Sequence, residues 1–407
     1  MHCEALDAAD PLAFARARFR VPAERIYLDG NSLGVPAESA LAALRVAAEE
    51  EWAGDLVGAW NDRDWIGLPR RLGERIAPLI GAGPGQVIVC DSISVNLHKL
   101  LATALGLRPG RRTVLSAEGN FPTDLYMAQG LAELLGAERC RVRTAPPDDI
   151  VSAVGDDTAV VMLTQVDFRT GARFDVAAIT AAVQARGALM LWDLAHSAGA
   201  MAIDLDAIGA DLAVGCGYKY LGGGPGAPAF LYVAQRHQDA ARQPLSGWMG
   251  HARPFAFDPA YRAGDGTDRF LCGTPPVLSM RALEGALDAF DDVTIAQLRE
   301  KSVALCETFL ALVEATPALA SLQLASPREA DRRGSQVSFA HPRAFAIMQT
   351  LIKEGVVGDF REPDLLRFGF APLYVRFVDV FDAVERLAAI VSEGRHAAAP
   401  AARGRVT

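Results

Sequence analysis

The chain has 407 residues, 51% hydrophobic and 22% charged, which exceeds the size at which one core stops growing and predicts two domains sharing an interface. Its formal net charge of −9, with no patch of Lys and Arg, excludes a nucleic-acid partner, for which a basic face is needed. The six cysteines (Cys3, Cys90, Cys140, Cys216, Cys272, Cys306) stand far apart, with no CxxC pair and no His at zinc-ligand spacing, so they read as reduced structural thiols and no metal site is expected.

The first thirty residues lack the apolar core of a signal peptide, because Asp10, Arg16, Arg18 and Arg20 interrupt their Ala-rich stretches. No apolar run reaches transmembrane length, so a cytoplasmic protein without a membrane partner is expected. A short helix is predicted over 11–20 and a strand over 25–29, ending at the turn Gly30-Asn31-Ser32-Leu33-Gly34. An Ala-rich helix over 37–53 follows Pro36, and an amphipathic helix follows Pro69 through Leu72, Ile76 and Leu79. From Gln86 onward short apolar runs alternate with helices, the pattern of a parallel sheet covered on both faces. Strands are predicted at 87–90, 113–116, 140–143, 158–164, 188–192, 212–215 and 229–233, with helices at 95–106, 123–135 and 175–186. Beyond residue 276 helices at 277–290, 294–315, 343–354 and 379–393, with strands at 335–339 and 365–370, predict a smaller α+β domain. The expected fold class is therefore α/β, a large domain on a seven-stranded, mostly parallel sheet plus that C-terminal domain. The organisation follows: an N-terminal segment (1–50) packing on the small domain, a large domain (51–276), a small domain (277–395), and an Ala/Pro/Arg-rich tail (396–407) with too little to bury to be ordered.

Two residues carry the chemistry. Asp193 ends the apolar run 188–192, and Lys219 sits in the glycine-rich stretch 215–224; a carboxylate for a pyridinium nitrogen and a lysine for a Schiff base are the partners that pyridoxal phosphate (PLP) needs. Either residue alone is commonplace, but His196 follows the aspartate, Tyr218 precedes the lysine, and Asp204 and Asp211 occupy the stretch between. A phosphate cup is expected where a strand meets a helix N-terminus, and Asp91 to Asn96 has that design, with Ile93 and Ser94 offering N–H groups and a hydroxyl. The alternative for Ser94 is a plain helix N-cap. Phe121 can stack on a ring and Asp124 can bond it, although Pro122-Thr123-Asp124 is just as well a helix start. A desolvated glycine-rich pocket near cations lowers the pKa of Lys219 in the direction imine chemistry requires. Trp248 and Thr274 are loop residues suited to closing a phosphate site, from this chain or a second copy. For a substrate carboxylate Arg367, a charge in the apolar strand 365–370, stands out over Arg361 and Arg376; its alternative is a buried salt bridge.

With these residues in place, the chain resembles the kynureninase family, fold-type-I PLP enzymes related to the aspartate aminotransferases. The motifs that carry the resemblance are Tyr27 to Gly34, Ser94 to Leu97, Phe121 to Asp124, Trp192 to Gly199 and Gly217 to Tyr220. The resemblance implies hydrolysis of L-kynurenine to anthranilate and L-alanine, with Lys219 holding PLP and then acting as base, and Tyr218 as a proton donor in later steps. It places Ile93, Ser94, Phe121, Pro122, Thr123, Asp124, Thr164, Asp193, His196, Tyr218, Lys219, Trp248 and Thr274 at the cofactor, Arg367 at the substrate carboxylate, and Ser32 and Trp60 near the aryl ring. It also implies a homodimer with shared sites. Animal relatives carry His where Trp60 lies and Asn where Thr274 lies, which implies a preference for kynurenine over 3-hydroxykynurenine. Two other readings stay open: a cysteine desulfurase-like enzyme, which needs a nucleophilic Cys on a loop after the lysine, whereas the last cysteine, Cys306, falls in a predicted helix; and a PLP-fold protein without catalysis.

Overall fold

The computed structural model describes residues 2–398. The chain opens with helix α1 (His2–Ala9), strand β1 (Ile26–Tyr27), helix α2 (Glu38–Val46) and the short helix α3 (Ala59–Asp62). The predicted helix at 11–20 is only a 3-10 turn, Ala13–Arg18, whose arginines act as tethers: Arg16 donates to Asp379 at 2.9 Å and Arg18 to the carbonyls of Ala289 and Asp291. The helix predicted over 37–53 leaves α geometry at Ala47 and continues as a π-helix to Asp55. Next come α4 (Leu68–Ile76), β2 (Val87–Val89), α5 (Ile93–Leu107), β3 (Thr113–Ala117), α6 (Pro122–Leu135), β4 (Arg141–Ala145), α7 (Ile150–Ala153), β5 (Thr158–Thr164), α8 (Val176–Ala185), β6 (Leu189–Asp193), β7 (Leu212–Cys216), β8 (Ala229–Val233) and α9 (Gln235–Gln238). The seven strands from β2 to β8 form one sheet in the order β2-β8-β7-β6-β5-β3-β4, and β8 alone runs antiparallel to its neighbours. All seven residues of β5 are buried, as are those of β6 and β7, which is why these strands read as unbroken apolar runs rather than as alternation.

The rest of the chain supplies α10 (Val277–Leu287), α11 (Ile295–Ala315), β9 (Gln323–Leu324), β10 (Gln336–Ala340), α12 (Ala344–Lys353), β11 (Val356–Val357), β12 (Asp359–Arg361), β13 (Leu365–Gly369) and α13 (Phe377–Ser392). An antiparallel sheet, β12-β13-β10-β9, packs on α11, with Phe309 meeting Phe368 and Phe370 at ring separations of 5.0 and 5.2 Å. A Thr294–Gln297 capping box starts α11 where the sequence predicts it.

Two boundaries differ from expectation. Helix α10, assigned to the small domain, belongs to the large core: Met280, Leu283 and Ala286 share a buried cluster with Leu72, Val87 and Trp192. The N-terminal segment is divided as well. Cys3 of α1 joins the small-domain core and β1 pairs with β11, but α2 lies on α10 and so on the large domain. In the tail, residues 396–398, expected to be disordered, complete a 3-10 turn (Arg395–Ala398) with the ring of His396 against His341; residues 399–407 lie outside the described residues.

Candidate active site

The C-terminal ends of β3, β5, β6 and β7 open on a cleft of about 570 Å³. This is where an open α/β sheet gathers functional loops, because the helices that follow the strands point their N-termini there. Thr164 and Asp193 are neighbours in register at the ends of β5 and β6, and Lys219 follows β7 in a glycine-rich turn. That turn is braced from a distance. The Gly34 N–H donates to the Tyr218 carbonyl at 2.8 Å, and a Cβ on Gly34 would lie 2.3 Å from the Lys219 carbonyl oxygen, so the turn at 30–34 must end in glycine for the two backbones to approach.

One wall carries two carboxyl groups. Asp193 is 2% exposed and accepts from the Ala195 N–H at 2.7 Å, while burial raises its pKa. Asp124 is fully buried beside it, and burial together with the charge of Asp193 holds its pKa well above the carboxylate range. Asp124 Oδ1 has no hydrogen-bond partner. Opposite, Lys219 Nζ lies 2.9 Å from His196 Nε2, and burial lowers its pKa against the opposing pull of Cys216 and Asp193. Burial, then the charges of Lys219 and Arg367, push the His196 imidazole well below its usual pKa.

The third wall is the start of α5. Its N-cap is Ser92, whose side chain accepts from the Val95 N–H at 3.4 Å, so Ser94 is relieved of capping and stands with Ile93 in the first turn, where N–H groups lack helical acceptors. A desolvated carboxyl pair with an orphaned oxygen calls for a cationic N–H donor, the helix start calls for an anion, and burial moves the Lys219 amine toward its neutral form. That donor set fits PLP.

Of the residues expected at the cofactor, Ile93, Ser94, Phe121, Thr123, Asp124, Thr164, Asp193, His196, Tyr218 and Lys219 line this cleft. Pro122 is the first residue of α6 and shapes its entry without lining the cleft. Trp248 is 37% exposed and Thr274 is exposed, both outside the cleft walls. Trp60 packs edge-on against Trp65 at 5.6 Å, also away from it. Arg367 is 1% exposed on β13 and is the buried ion pair its alternative reading predicts: it grips Asp359 with Nε (2.7 Å) and Nη2, and reaches Ser32 Oγ at 2.8 Å and the Phe168 carbonyl at 2.5 Å. Ser32 thus sits at the arginine rather than in the cleft. Asp211 marks the other end of β7, where it accepts from Gln184, Met190 N–H, Arg236 and His237 as a structural carboxylate.

Sequence reasoning passed over Phe168, Gln336 and Asp359. Phe168 stands edge-on to Phe121 at 5.1 Å, and the other two come from strands of the small domain, so only the tertiary contacts reveal them.

Fold and site together define a fold-type-I PLP-dependent enzyme. A mutant of C-DES with glycine covalently linked to its PLP cofactor superposes with a TM-score of 0.81 at 18% identity, covering 92% of this chain and 98% of that one. The cysteine desulfurase CsdA of Escherichia coli gives 0.78 at 18% identity over 94% and 98%. Residues 298–387 match the model of the kynureninase C-terminal domain. Kynureninase of Deinococcus radiodurans is 54% identical over 96% of both chains, and that of Burkholderia pseudomallei 52% identical over 94% of this chain and 93% of its own. The chain belongs to the kynureninase family.

Proposed function

We propose that the cleft hydrolyses L-kynurenine, cutting the bond between Cβ and the γ-carbonyl carbon to give anthranilate and L-alanine. The observation that carries this reading is the convergence of Lys219, whose pKa burial lowers, with the paired carboxyls Asp124 and Asp193 on one cleft, within the electrostatic reach of the small-domain Arg367. PLP, when bound at Lys219, supplies an electron sink for the pair left at the substrate α-carbon. Asp193 would keep its ring nitrogen protonated, with Asp124 beside it, and Ile93 and Ser94 would hold its phosphate. Lys219 Nζ is the base positioned to take the α-proton and to return one to Cα as L-alanine forms. Water adds its hydroxyl to the γ-carbonyl carbon, which leaves with the aryl group as the carboxylate, and Cβ receives a proton, for which the Tyr218 hydroxyl is the donor at hand. Phe121 and Phe168 offer the flat walls that an aryl substrate and a pyridine ring need.

Arg367 is the substrate-carboxylate residue in this reading. Three of its nitrogens are engaged, so the carboxylate shares the arginine with Asp359 or displaces it. The reading also requires a homodimer. Trp248, Phe255 (55% exposed) and Phe257 (77% exposed) form an apolar surface that a second copy would cover, bringing Trp248 and Thr274, and Trp60 from α3, to the neighbouring site. The free thiols suit work in the cytoplasm.

The cysteine-desulfurase alternative lacks its nucleophile: Cys306 is 1% exposed within α11, and the partly exposed Cys272 does not line the cleft. The test is anthranilate fluorescence with kynurenine as substrate. Wild type forms anthranilate and Lys219→Ala does not; a wild type that binds PLP yet forms none refutes the substrate. Mixing Lys219→Ala with Trp248→Ala chains restores activity if sites are shared, and leaves both inactive if they are not.

A further inference from the structure

We propose that Gln336 is a positioning residue for His196: it decides which imidazole nitrogen carries the proton, and thereby leaves the Nε2 lone pair facing Lys219. The proposal rests on this cleft being the active site, although its spectroscopic test does not depend on turnover.

Gln336 is the first residue of β10, on the small domain, and is 1% exposed. Its Nε2 lies 3.2 Å from the backbone carbonyl oxygens of both Asp167 and Phe168. Carbonyls only accept, so the amide nitrogen must face them and the orientation of the side chain is settled. Oε1 then faces His196 Nδ1 at 3.0 Å. An amide oxygen only accepts, so Nδ1 carries the hydrogen, and the neutral ring has its lone pair on Nε2, 2.9 Å from Lys219 Nζ. The opposite tautomer would leave Gln336 Oε1 and Nδ1 as two buried acceptors face to face, at the cost of an unmade hydrogen bond. A second proton is opposed by burial and by the three cations that act on the ring, Lys219, Arg367 and Arg361.

The same contacts tie this choice to the carboxylate arginine. Arg367 Nη1 donates to the Phe168 carbonyl that Gln336 also holds, and Ser338, opposite Arg367 in the ladder, donates to the Arg169 carbonyl at 2.5 Å. The two central strands of the small domain therefore grip one segment, 167–169, and from it Gln336 reaches across to the partner of the lysine. Whatever seats β10 and β13 on that segment also aims His196.

The experiment is nitrogen-15 NMR of histidine-labelled full-length protein, with and without PLP, His196 being assigned among the seven histidines by His196→Asn. At pH 7 His196 is expected as the neutral Nδ1–H tautomer in wild type. Gln336→Met, of similar length but without an acceptor, is expected to lose that single tautomer, with kcat falling about tenfold or more and KM changing less than threefold, as for a misdirected base. Ser338→Ala, which loosens the grip on the Arg169 carbonyl but leaves the Gln336 acceptor in place, is expected to keep the tautomer. Circular dichroism and thermal melts verify that each variant is folded. An Nε2–H or doubly protonated ring in wild type overturns the proposal, as does a folded Gln336→Met that retains the wild-type tautomer. Loss of the tautomer in both Gln336→Met and Ser338→Ala overturns it too, because general loosening, not the acceptor, would then be the cause.

Discussion

Asp359→Asn probes a fully buried charge of the small domain. Asp359 is fully buried on β12 and accepts from Arg367 Nε at 2.7 Å, from Arg367 Nη2, from Arg361 at 2.6 Å and from Ser32 Oγ at 2.9 Å. Asparagine keeps the shape but removes the charge, and one of its ends is a donor that must face an arginine N–H. Breaking a buried ion pair on one side costs about 3–5 kcal/mol, since the arginine is left in low dielectric without its counter-charge. Here part of that charge is within reach, because Asp29 Oδ1 lies 4.0 Å from Arg367 Nη2 and has no hydrogen bond. Burial and the charge of Asp359 push Asp29 up to about 7, so removing Asp359 lets Asp29 ionise and stand in. The expectation is the lower end of the range, about 3 kcal/mol, read as a reduced denaturant midpoint with unchanged slope in the cofactor-free protein. Arg361→Ala, which removes the outer, 34% exposed partner of the same carboxylate, is expected to cost clearly less. A loss below about 1 kcal/mol for Asp359→Asn, or a larger loss for Arg361→Ala, refutes the claim that the inner pair carries the cluster.

Other outcomes follow from the same geometry. Asp29 has a folded pKa above its unfolded value, so the native state holds its proton more tightly and this residue costs stability as pH rises from about 4 through about 7; Asp29→Asn is expected to flatten that part of the thermal-melt profile, and an unchanged profile refutes it. Asp211 has the opposite sign: four donors outweigh burial and lower its pKa, so its contribution is present above the unfolded value and is lost as pH falls through the folded one. Asp211→Asn should therefore melt earlier than wild type at pH 7, by about 1–3 kcal/mol, with the gap closing in acid. Capture of PLP by cofactor-free protein, followed by absorbance, should level off below pH 10.5, because burial makes the Lys219 amine available early; a midpoint at or above 10.5 would contradict the desolvated site. Gly285→Ala should destabilise the protein although alanine favours helices, since its Cβ would lie 2.4 Å from the Ser39 carbonyl where α10 meets α2; a neutral or stabilising change would show that the two helices can part.

The sequence by itself determined the larger part of the fold and one face of the site. Strands buried on both sides announce themselves as apolar runs, which is why β2, β3, β5, β6, β7 and β8 were legible to within a few residues, whereas β4 is a largely exposed edge strand, Arg141–Ala145. Asp193, Lys219, Asp124 and the start of α5 were legible for a related reason: in an α/β sheet, function gathers at strand ends and helix N-termini, and those are local signals. What tertiary structure alone decided are the contacts between distant segments. Helix α10 has the same periodicity whichever core it joins, and only its packing on α2 and the large sheet settles its domain. Arg367 was visible as a charge in an apolar strand, but its capture by Asp359 depends on the pairing of β12 with β13, which pattern cannot supply. Gln336 and Phe168 gave no signal of their own, because a glutamine at a strand start and a phenylalanine in a loop are ordinary until the fold sets one against His196 and the other against Phe121.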